Sequence, residues 1–261
     1  MSKKPINKLT GLCVVTGASS GIGFELAKLA AGDGCDLLLV ADRDLTRAER
    51  EAENHGAASV STLLCDLATR RGIDQVIAAI GGREVDVLMA NAGEGEGGAF
   101  LEMPWELSRR TIETNILGTC ALVHRIGSSM LARNHGRILV TGSIAGHMPG
   151  AFNLTYNSTK AFLNDFCVGL ANELRESRVV VSCLEPGGTQ TEFFKHADME
   201  DTGLAAASTA DPAKVARDGY QALLAGEVEI VSGLMNKLLA ASADLLPDTL
   251  IAEIHRRLAK S

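Results

Sequence analysis

Short runs of apolar residues recur along the chain, and each run ends in glycine, aspartate or serine. The runs occupy residues 11–17, 35–42, 58–66, 85–93, 136–143 and 178–187. Apolar side chains at nearly every position, rather than at every second one, are typical of parallel strands covered on both faces of a sheet. The pattern therefore predicts six parallel strands, and the segment 227–233 is predicted to add a final one.

Longer segments with helical periodicity separate these runs. Two of them place apolar residues on one helical face, namely Ile22, Leu26, Leu29 and Ala30 in 20–32, and Ala161, Phe162, Phe166, Leu170 and Leu174 in 157–176. Strands that alternate with helices predict an α/β fold, a doubly wound, Rossmann-like parallel sheet. Ligands are expected at the carboxyl ends of the strands of such a sheet.

The pattern changes in the last third of the chain. Residues 188–212 mix polar and small residues with a Phe pair, which predicts a mobile loop or a short-helix lid. Residues 234–261 have amphipathic helical periodicity that we expect to break near Pro247. Their apolar stripe is predicted to pack on the core or on another subunit, and it comprises Leu234, Leu238, Ala241 and Leu245. We therefore predict one domain over residues 1–233 with a C-terminal helical extension.

Composition excludes some classes of function. Of the 261 residues, 46 % are hydrophobic and 22 % charged, and the net charge of −7 does not favour nucleic-acid binding, which requires a basic surface. The six cysteines form no CxxC pair and the six histidines show no metal spacing, so we expect free thiols and no metal. No signal peptide or transmembrane run is visible, which indicates a cytoplasmic protein without a membrane span.

A glycine-rich turn follows the first predicted strand. Gly17, Gly21 and Gly23 leave room for backbone N–H groups and a helix N-terminus to meet a pyrophosphate. Asp42 ends the second strand 19 residues after Gly23, where an acidic side chain holds the adenosine ribose. Its charge would repel a 2′-phosphate, so NAD(H) is favoured. Arg43 beside it softens that repulsion, so NADP(H) is not excluded.

Six motifs stand in one order along the chain. They are TGASSGIG (16–23), NAG (91–93), TNILGT with Asn115, TGSIAG with Ser143, YNSTK with Tyr156 and Lys160, and PGGTQT (186–191). In this order, and with the tyrosine 13 positions after the serine, the chain resembles the short-chain dehydrogenase/reductase family over roughly residues 10–195. The glycine spacing and the length resemble its compact, single-domain oxidoreductase branch.

The resemblance implies a catalytic group of four residues. Tyr156 would give a proton to a carbonyl or take one from an alcohol, and Lys160 would lower the pKa of Tyr156 and bind the nicotinamide ribose. Ser143 would hydrogen-bond the substrate oxygen, and Asn115 would hold a water that links Lys160 to solvent. Without the other motifs, a tyrosine and a lysine four residues apart would be interpreted as an ordinary helix pair.

The proposed lowering of the tyrosine pKa has a plausible magnitude. Bringing a tyrosine pKa from about 10 to near neutrality requires roughly 4 kcal/mol. One ammonium about 4 Å away, at an effective dielectric constant near 20, supplies a Coulomb energy of that order. Lys160, one helical turn after Tyr156, is placed to provide it.

The resemblance also implies a cofactor site. Its residues are Gly17, Ser19, Ser20, Gly21, Ile22, Gly23, Asp42, Arg43, Asp66, Leu67, Asn91, Ala92, Gly93, Tyr156, Lys160, Pro186, Gly187, Thr189 and Thr191. Some of them have simpler interpretations: Asn91 as a strand-end cap, Asp66 as a helix cap, and the 186–187 turn as the end of a strand. Glu94 and Glu96 could face the substrate or only water, and His147 is interpreted as a substrate-loop residue.

These observations predict an NAD(P)-dependent alcohol dehydrogenase or carbonyl reductase. The alternatives are a non-catalytic dinucleotide-binding sensor or scaffold, and a lyase or epimerase that uses the cofactor transiently. The segments that wall the pocket in the family carry Met148, Phe152, Phe193 and Phe194 here, which points to a bulky or apolar alcohol or ketone. We expect at least a dimer, either a homodimer or a homotetramer.

Overall fold

The computed structural model describes residues 3–189, 203, 210–243 and 246–259. One seven-stranded sheet runs through it, with every pair of neighbouring strands parallel and the order β3-β2-β1-β4-β5-β6-β7. The strands are β1 (Leu12–Thr16), β2 (Asp36–Ala41), β3 (Ser59–Leu64), β4 (Val85–Ala90), β5 (Arg137–Thr141), β6 (Val180–Glu185) and β7 (Glu229–Val231). Each predicted run contains one of them, so the doubly wound α/β fold is confirmed.

Helices connect the strands and cover both faces of the sheet. The α-helices are α1 (Gly21–Gly32), α2 (Thr46–Asn54), α3 (Arg70–Ile80), α4 (Trp105–Ile112), α5 (Thr119–Ala132), α6 (Leu154–Glu173), α7 (Pro212–Ala225), α8 (Leu234–Ala243) and α9 (Asp248–Ala259). A π-helical segment, Glu113–Gly118, joins α4 to α5, and a 3₁₀ turn, Ile144–His147, follows β5.

The core consists of two apolar layers, one on each face of the sheet. Val15 and Leu39 belong to the layer under α1, α2 and α7, whereas Val14 and Leu88 belong to the layer under α3, α5 and α6. Strand β3 departs from the predicted full burial because it lies at the sheet edge, and Leu64 is 62 % exposed there.

The strand order places the functional loops together. The chain runs outward from β1 through β2 to β3 and then crosses back to β4 on the other side of β1. The carboxyl ends of β1 and β4 therefore border the crevice at which doubly wound folds bind ligands. The glycine turn follows β1, the NAG segment follows β4, and Ser143 follows β5, all at this edge.

The C-terminal extension forms two helices, α8 and α9, and the break falls at Pro247 as predicted. Leu234 and Leu238 of the predicted stripe are 76 % and 60 % exposed, and the small Ala240 on another face of α8 is buried instead. Their contact with another subunit stays a prediction, and the side chains of Ala241 and Leu245 lie outside the described residues. Among the described helices, none combines the length and apolar character that crossing a membrane requires.

Candidate active site

A cavity of about 800 Å³ opens at the carboxyl edge of the sheet. Most of the predicted site residues line it, namely Gly17, Ser19, Ser20, Gly21, Ile22, Asp42, Arg43, Asp66, Leu67, Asn91, Ala92, Gly93, Ser143, Tyr156, Lys160, Pro186, Gly187 and Thr189. Gly23 and Asn115 are not among the lining residues but contact them, Gly23 at Gly17 and Asn115 at Glu94. Thr191, Phe193 and Phe194 lie outside the described residues, as does most of the predicted lid.

The glycine turn is packed too tightly for side chains. A Cβ on Gly17 would lie 2.9 Å from the Ala92 Cα, and a Cβ on Gly23 would overlap the Gly17 carbonyl oxygen. Gly17 and Gly21 also have φ angles of 66° and 56°, which favour glycine. Among the described residues, the Ser20 side chain makes no capping hydrogen bond to α1. The helix N-terminus and its cradle at the cavity wall therefore suit a pyrophosphate.

The NAG segment after β4 links the strand ends. The Asn91 side chain donates to the Thr16 carbonyl oxygen at 3.3 Å and accepts from the Thr141 hydroxyl at 3.0 Å, so it ties the end of β4 to the ends of β1 and β5. A Cβ on Gly93 would lie 3.3 Å from the Asn115 Oδ1 and 3.5 Å from the Lys160 Nζ. The absence of a side chain at Gly93 thus leaves room for the Asn115 amide and the Lys160 ammonium to lie close together.

An arginine from α4, which the sequence interpretation did not identify, organises the far end of the cavity. Arg110 contacts Asp66 and Glu94 at 2.7 Å each and Asp42 at 3.6 Å. Burial acts to raise the pKa of Asp66, but the hydrogen bonds from Arg110 and the Ala68 amide outweigh it, and the pKa is lowered. Burial raises the pKa of Glu94 despite Arg110.

Two acidic residues whose roles the sequence left open have defined partners. Asp66 does not cap α3, because the N-cap is Thr69, whose side chain accepts from the Gly72 amide. Glu94 lines the cavity, and its carboxylate accepts a hydrogen bond from Arg110 at 2.7 Å.

Helix α6 carries both the tyrosine and the lysine. The Lys160 Nζ lies 5.7 Å from the centroid of the Tyr156 ring and donates to the Thr141 carbonyl oxygen at 2.7 Å. Ser143, at the start of the 3₁₀ turn, hydrogen-bonds Tyr156. Three of the four side chains that the resemblance groups together therefore converge at one end of the cavity.

The expected lowering of the tyrosine pKa is not found in the chain alone. Burial raises the pKa of Tyr156 to about 12, and the Ser143 hydrogen bond opposes it only in part. Burial also lowers the pKa of Lys160 to about 8. Desolvation dominates because Lys160 is buried and Tyr156 is half-buried, and residue spacing along a helix does not reveal that burial.

Asn115 lies in the π-helical segment, a distortion often found at functional sites. Its amide nitrogen donates to the Glu94 carbonyl oxygen at 2.8 Å and to the Thr159 hydroxyl at 2.9 Å, and its Oδ1 accepts from the Glu94 amide at 2.8 Å. Asn115 thereby fixes the loop after β4 against α6. The water that would link it to Lys160 stays a prediction.

A second buried asparagine, missed by the sequence interpretation, positions Ser143. Asn164 lies one turn after Lys160, and its amide nitrogen donates to the Ser143 carbonyl oxygen at 2.9 Å while its Oδ1 accepts from the Ser143 amide at 3.3 Å. A Cβ on Gly142 would overlap that Oδ1. The serine loop and α6 are thus held together by a two-point contact. Helical spacing from Tyr156 and Lys160 was the signal that could have identified Asn164.

Two buried carboxylates anchor the surrounding loops. His147 contacts Glu185 at 2.6 Å, which joins the loop after β5 to the end of β6. Glu96 accepts from the Thr111 hydroxyl at 2.5 Å and lies within reach of Ser108, so it joins the loop after β4 to α4. Burial raises the pKa of both carboxylates, and their hydrogen-bond partners oppose it.

The wall near the C-terminal helices is mostly apolar, although Asn236 and His255 also line it. Met148 lines the cavity as predicted, whereas Phe152 is not among the described lining residues and its carbonyl oxygen accepts from the Gly98 amide. The C-terminal helical pair and its connection supply the other apolar members, Leu239, Leu246, Ile251, Ile254 and Leu258. Their periodicity was interpreted as packing on the core or a subunit, so this contribution was missed.

Comparisons with known proteins agree with this geometry. The family model described as short chain dehydrogenase matches residues 12–201. An uncharacterized oxidoreductase of Myxococcus xanthus is 33 % identical over 186 residues, which cover 69 % of this chain and 72 % of that protein. Retinol dehydrogenase 8 of Bos taurus is 33 % identical over 185 residues, covering 69 % of this chain and 59 % of its own length.

Two solved structures extend the likeness to three dimensions. A short-chain dehydrogenase from Sphingobium yanoikuyae in complex with NADPH has a TM-score of 0.79 at 26 % identity, with 90 % of this chain and 94 % of that chain covered. A short-chain dehydrogenase/reductase from Burkholderia phymatum in complex with NAD has a TM-score of 0.82 at 22 % identity, with 97 % and 98 % covered. The second likeness concerns the fold alone.

Proposed function

Because the chain belongs to the short-chain dehydrogenase family of oxidoreductases, we propose that it interconverts a secondary alcohol and a ketone with NAD(H) or NADP(H). This proposal rests on one observation: Ser143, Tyr156 and Lys160 converge at one end of the cavity that also contains the glycine cradle. The cradle and the N-terminus of α1 fit a pyrophosphate, and Asp42 would hold the adenosine ribose. When bound, the dinucleotide supplies or accepts the hydride.

The chain's own residues would transfer the proton and stabilise the charge on the reacting oxygen. The Tyr156 hydroxyl would donate its proton to the carbonyl oxygen in reduction and take the proton of the alcohol in oxidation. Ser143 would donate a hydrogen bond to the same oxygen as negative charge develops on it. With a pKa of about 8, Lys160 stays mostly protonated at pH 7, so its charge is available to stabilise a tyrosinate.

We favour NAD(H) because Asp42 lies at the cavity end of β2. The carboxylate would bind ribose hydroxyls and repel a 2′-phosphate. Two arginines flank it, Arg43 at 3.5 Å and Arg110 at 3.6 Å, and they moderate that repulsion.

The substrate we propose is a bulky or apolar alcohol or ketone. The apolar side chains contributed by the C-terminal helices support this class, because they would remove an apolar substrate from water. The names of the relatives do not narrow the choice, since they include a retinol dehydrogenase and a serine 3-dehydrogenase.

Tyr156→Phe tests the proposed reaction, with Tyr220→Phe as the matched control. Tyr220 is the other tyrosine of the chain, lies buried on α7 and donates to Asp33. Turnover is followed by the absorbance of the reduced cofactor across a panel of alcohols and ketones, and dinucleotide binding is measured by calorimetry. We expect Tyr156→Phe to lose about 10²- to 10⁴-fold in kcat and to keep dinucleotide binding, whereas Tyr220→Phe keeps both.

Three results would contradict the proposal. Undiminished turnover in Tyr156→Phe would exclude the assigned role of the tyrosine. Tight dinucleotide binding by the wild type without turnover on any substrate would favour a sensor or scaffold. Product formation without net change of the cofactor would favour a lyase or an epimerase.

We also propose that the chain forms at least a dimer. Apolar side chains on the outer faces of α5 and α6 are exposed in the single chain, among them Leu131 at 48 % and Phe162 at 43 %. Phe162 stacks on Phe166 with ring centroids 5.9 Å apart, which forms a flat aromatic surface on α6. An apolar surface of this kind is typical of subunit contacts.

A further inference from the structure

Arg110 lies within 4 Å of three carboxylates that come from three different strand ends. Asp42 follows β2, Asp66 follows β3, and Glu94 lies in the loop after β4, so no two of them are neighbours in the sequence. Arg110 reaches all three from α4 through its two terminal nitrogens, at 2.7 Å for Asp66 and Glu94 and at 3.6 Å for Asp42. All four residues line the cavity that contains the glycine cradle.

The charges at this end of the cavity nearly balance. Three carboxylates face two guanidinium groups, Arg110 and Arg43, which leaves one formal negative charge. Asp42 lies between the two arginines, with Arg43 3.5 Å from one carboxylate oxygen and Arg110 3.6 Å from the other. Removing Arg110 would leave two negative charges and would also release Asp66 and Glu94 from their shared partner.

We propose that Arg110 is the residue that determines how strongly this site discriminates between NAD(H) and NADP(H). The inference rests on the proposed function, because it requires that Asp42 receive the adenosine ribose. A 2′-phosphate carries close to two negative charges beside Asp42, so it responds to the loss of a nearby cation far more than the uncharged ribose hydroxyl does. Arg110 thereby makes the site tolerant of NADP(H), although it belongs to a helix distant in sequence from both predicted determinants.

The test measures the dissociation constants of NAD⁺ and NADP⁺ by calorimetry in four variants of the full chain. Arg110→Met removes the charge and keeps a similar length of side chain. Arg109→Met is the matched control, because Arg109 is the next residue of α4 and pairs with Glu106 and Glu113 on the exposed side. Glu94→Gln and Arg110→Lys complete the set, since the first removes one negative charge and the second keeps the positive one.

We expect Arg110→Met to raise the ratio of the NADP⁺ to the NAD⁺ dissociation constant by about tenfold. Glu94→Gln is expected to lower that ratio, and Arg110→Lys and Arg109→Met to leave it within about threefold of the wild type. If Arg110→Met fails to fold, the proposal is supported when Glu94→Gln lowers the ratio of dissociation constants and Arg110→Lys leaves it unchanged.

Two outcomes overturn the inference while the proposed function stands. The first is a ratio of NADP⁺ to NAD⁺ dissociation constants that stays unchanged in Arg110→Met or Glu94→Gln. The second is a change of this ratio in Arg109→Met that is as large as the change in Arg110→Met. Failure of the wild type to bind either dinucleotide overturns the proposed function and this inference with it. Because binding is measured directly, neither conclusion depends on finding the substrate.

Discussion

Lys160 is expected to destabilise the fold at neutral pH, and its replacement by methionine is the sharpest test of the electrostatics of the site. Burial lowers its pKa from 10.5 to about 8. One pKa unit corresponds to about 1.4 kcal/mol, so holding this ammonium in the protein costs about 3 kcal/mol. Lys160→Met removes that cost but leaves the Thr141 carbonyl oxygen without its 2.7 Å partner, a loss of about 1 to 2 kcal/mol. We expect the variant to be about 1 to 2 kcal/mol more stable than the wild type at pH 7, and inactive.

The pH dependence gives this prediction a second signature. Below pH 8, Lys160 is charged in both the folded and the unfolded chain, and the full cost is present. Between pH 8 and 10.5 the folded chain releases the proton while the unfolded chain keeps it, so the wild type gains stability relative to Lys160→Met. Above pH 10.5 the cost is gone, and the wild type, which keeps its hydrogen bond, is expected to be the more stable of the two.

Urea unfolding of both proteins between pH 7 and 11 measures these differences. Lys214→Met is the matched control, because that lysine is exposed on α7 and its ion pair within the described part of the chain is the local one with Asp218. Its effect is expected to stay within about 0.5 kcal/mol at every pH. A Lys160→Met variant that is less stable than the wild type at pH 7, with a difference that does not vary with pH, would refute the reasoning.

Two other predictions concern positioning and assembly. Asn164→Ala removes both hydrogen bonds to the Ser143 peptide, so we expect about 2 kcal/mol less stability in urea unfolding and at least a tenfold lower kcat with dinucleotide binding preserved. Asn172→Ala, near the exposed end of the same helix, is the control, and a wild-type kcat in Asn164→Ala would show that Ser143 does not depend on this contact. Phe162→Glu places a charge on the exposed face of α6 and is expected to shift the chain to monomers in light scattering, whereas Leu101→Glu, at a 93 % exposed position, is not. A wild type that is already monomeric would contradict the proposed dimer.

The sheet was predictable because its strands are buried on both sides and therefore apolar at nearly every position. The glycine turn and the pair formed by Tyr156 and Lys160 were visible because each is local, with all its members within one turn or one loop. Strand β3 was harder to identify, because a strand at the edge of the sheet is less buried and can carry polar residues.

The contributions that were missed depend on contacts between distant segments. Arg110 lies in WELSRRTI, whose polar residues look like the solvated face of a helix, and its partner Asp66 is 44 residues away. Asn164 resembles any polar residue within a helix until the loop that carries Ser143 is seen against it. The raised pKa of Tyr156 in the chain alone was missed for a related reason, because the protein atoms around a side chain come from the whole fold.

The cavity is built from two stretches of the chain, and the family model reaches only one of them. The family model ends at residue 201, whereas Leu239, Ile251 and Ile254 come from helices beyond it. The groups assigned to the chemistry and the wall assigned to the substrate thus belong to separate stretches of the chain. Such a division would let substitutions in 234–259 change the substrate wall while Ser143, Tyr156 and Lys160 stay in place, so this segment is the natural starting point for redesigning specificity.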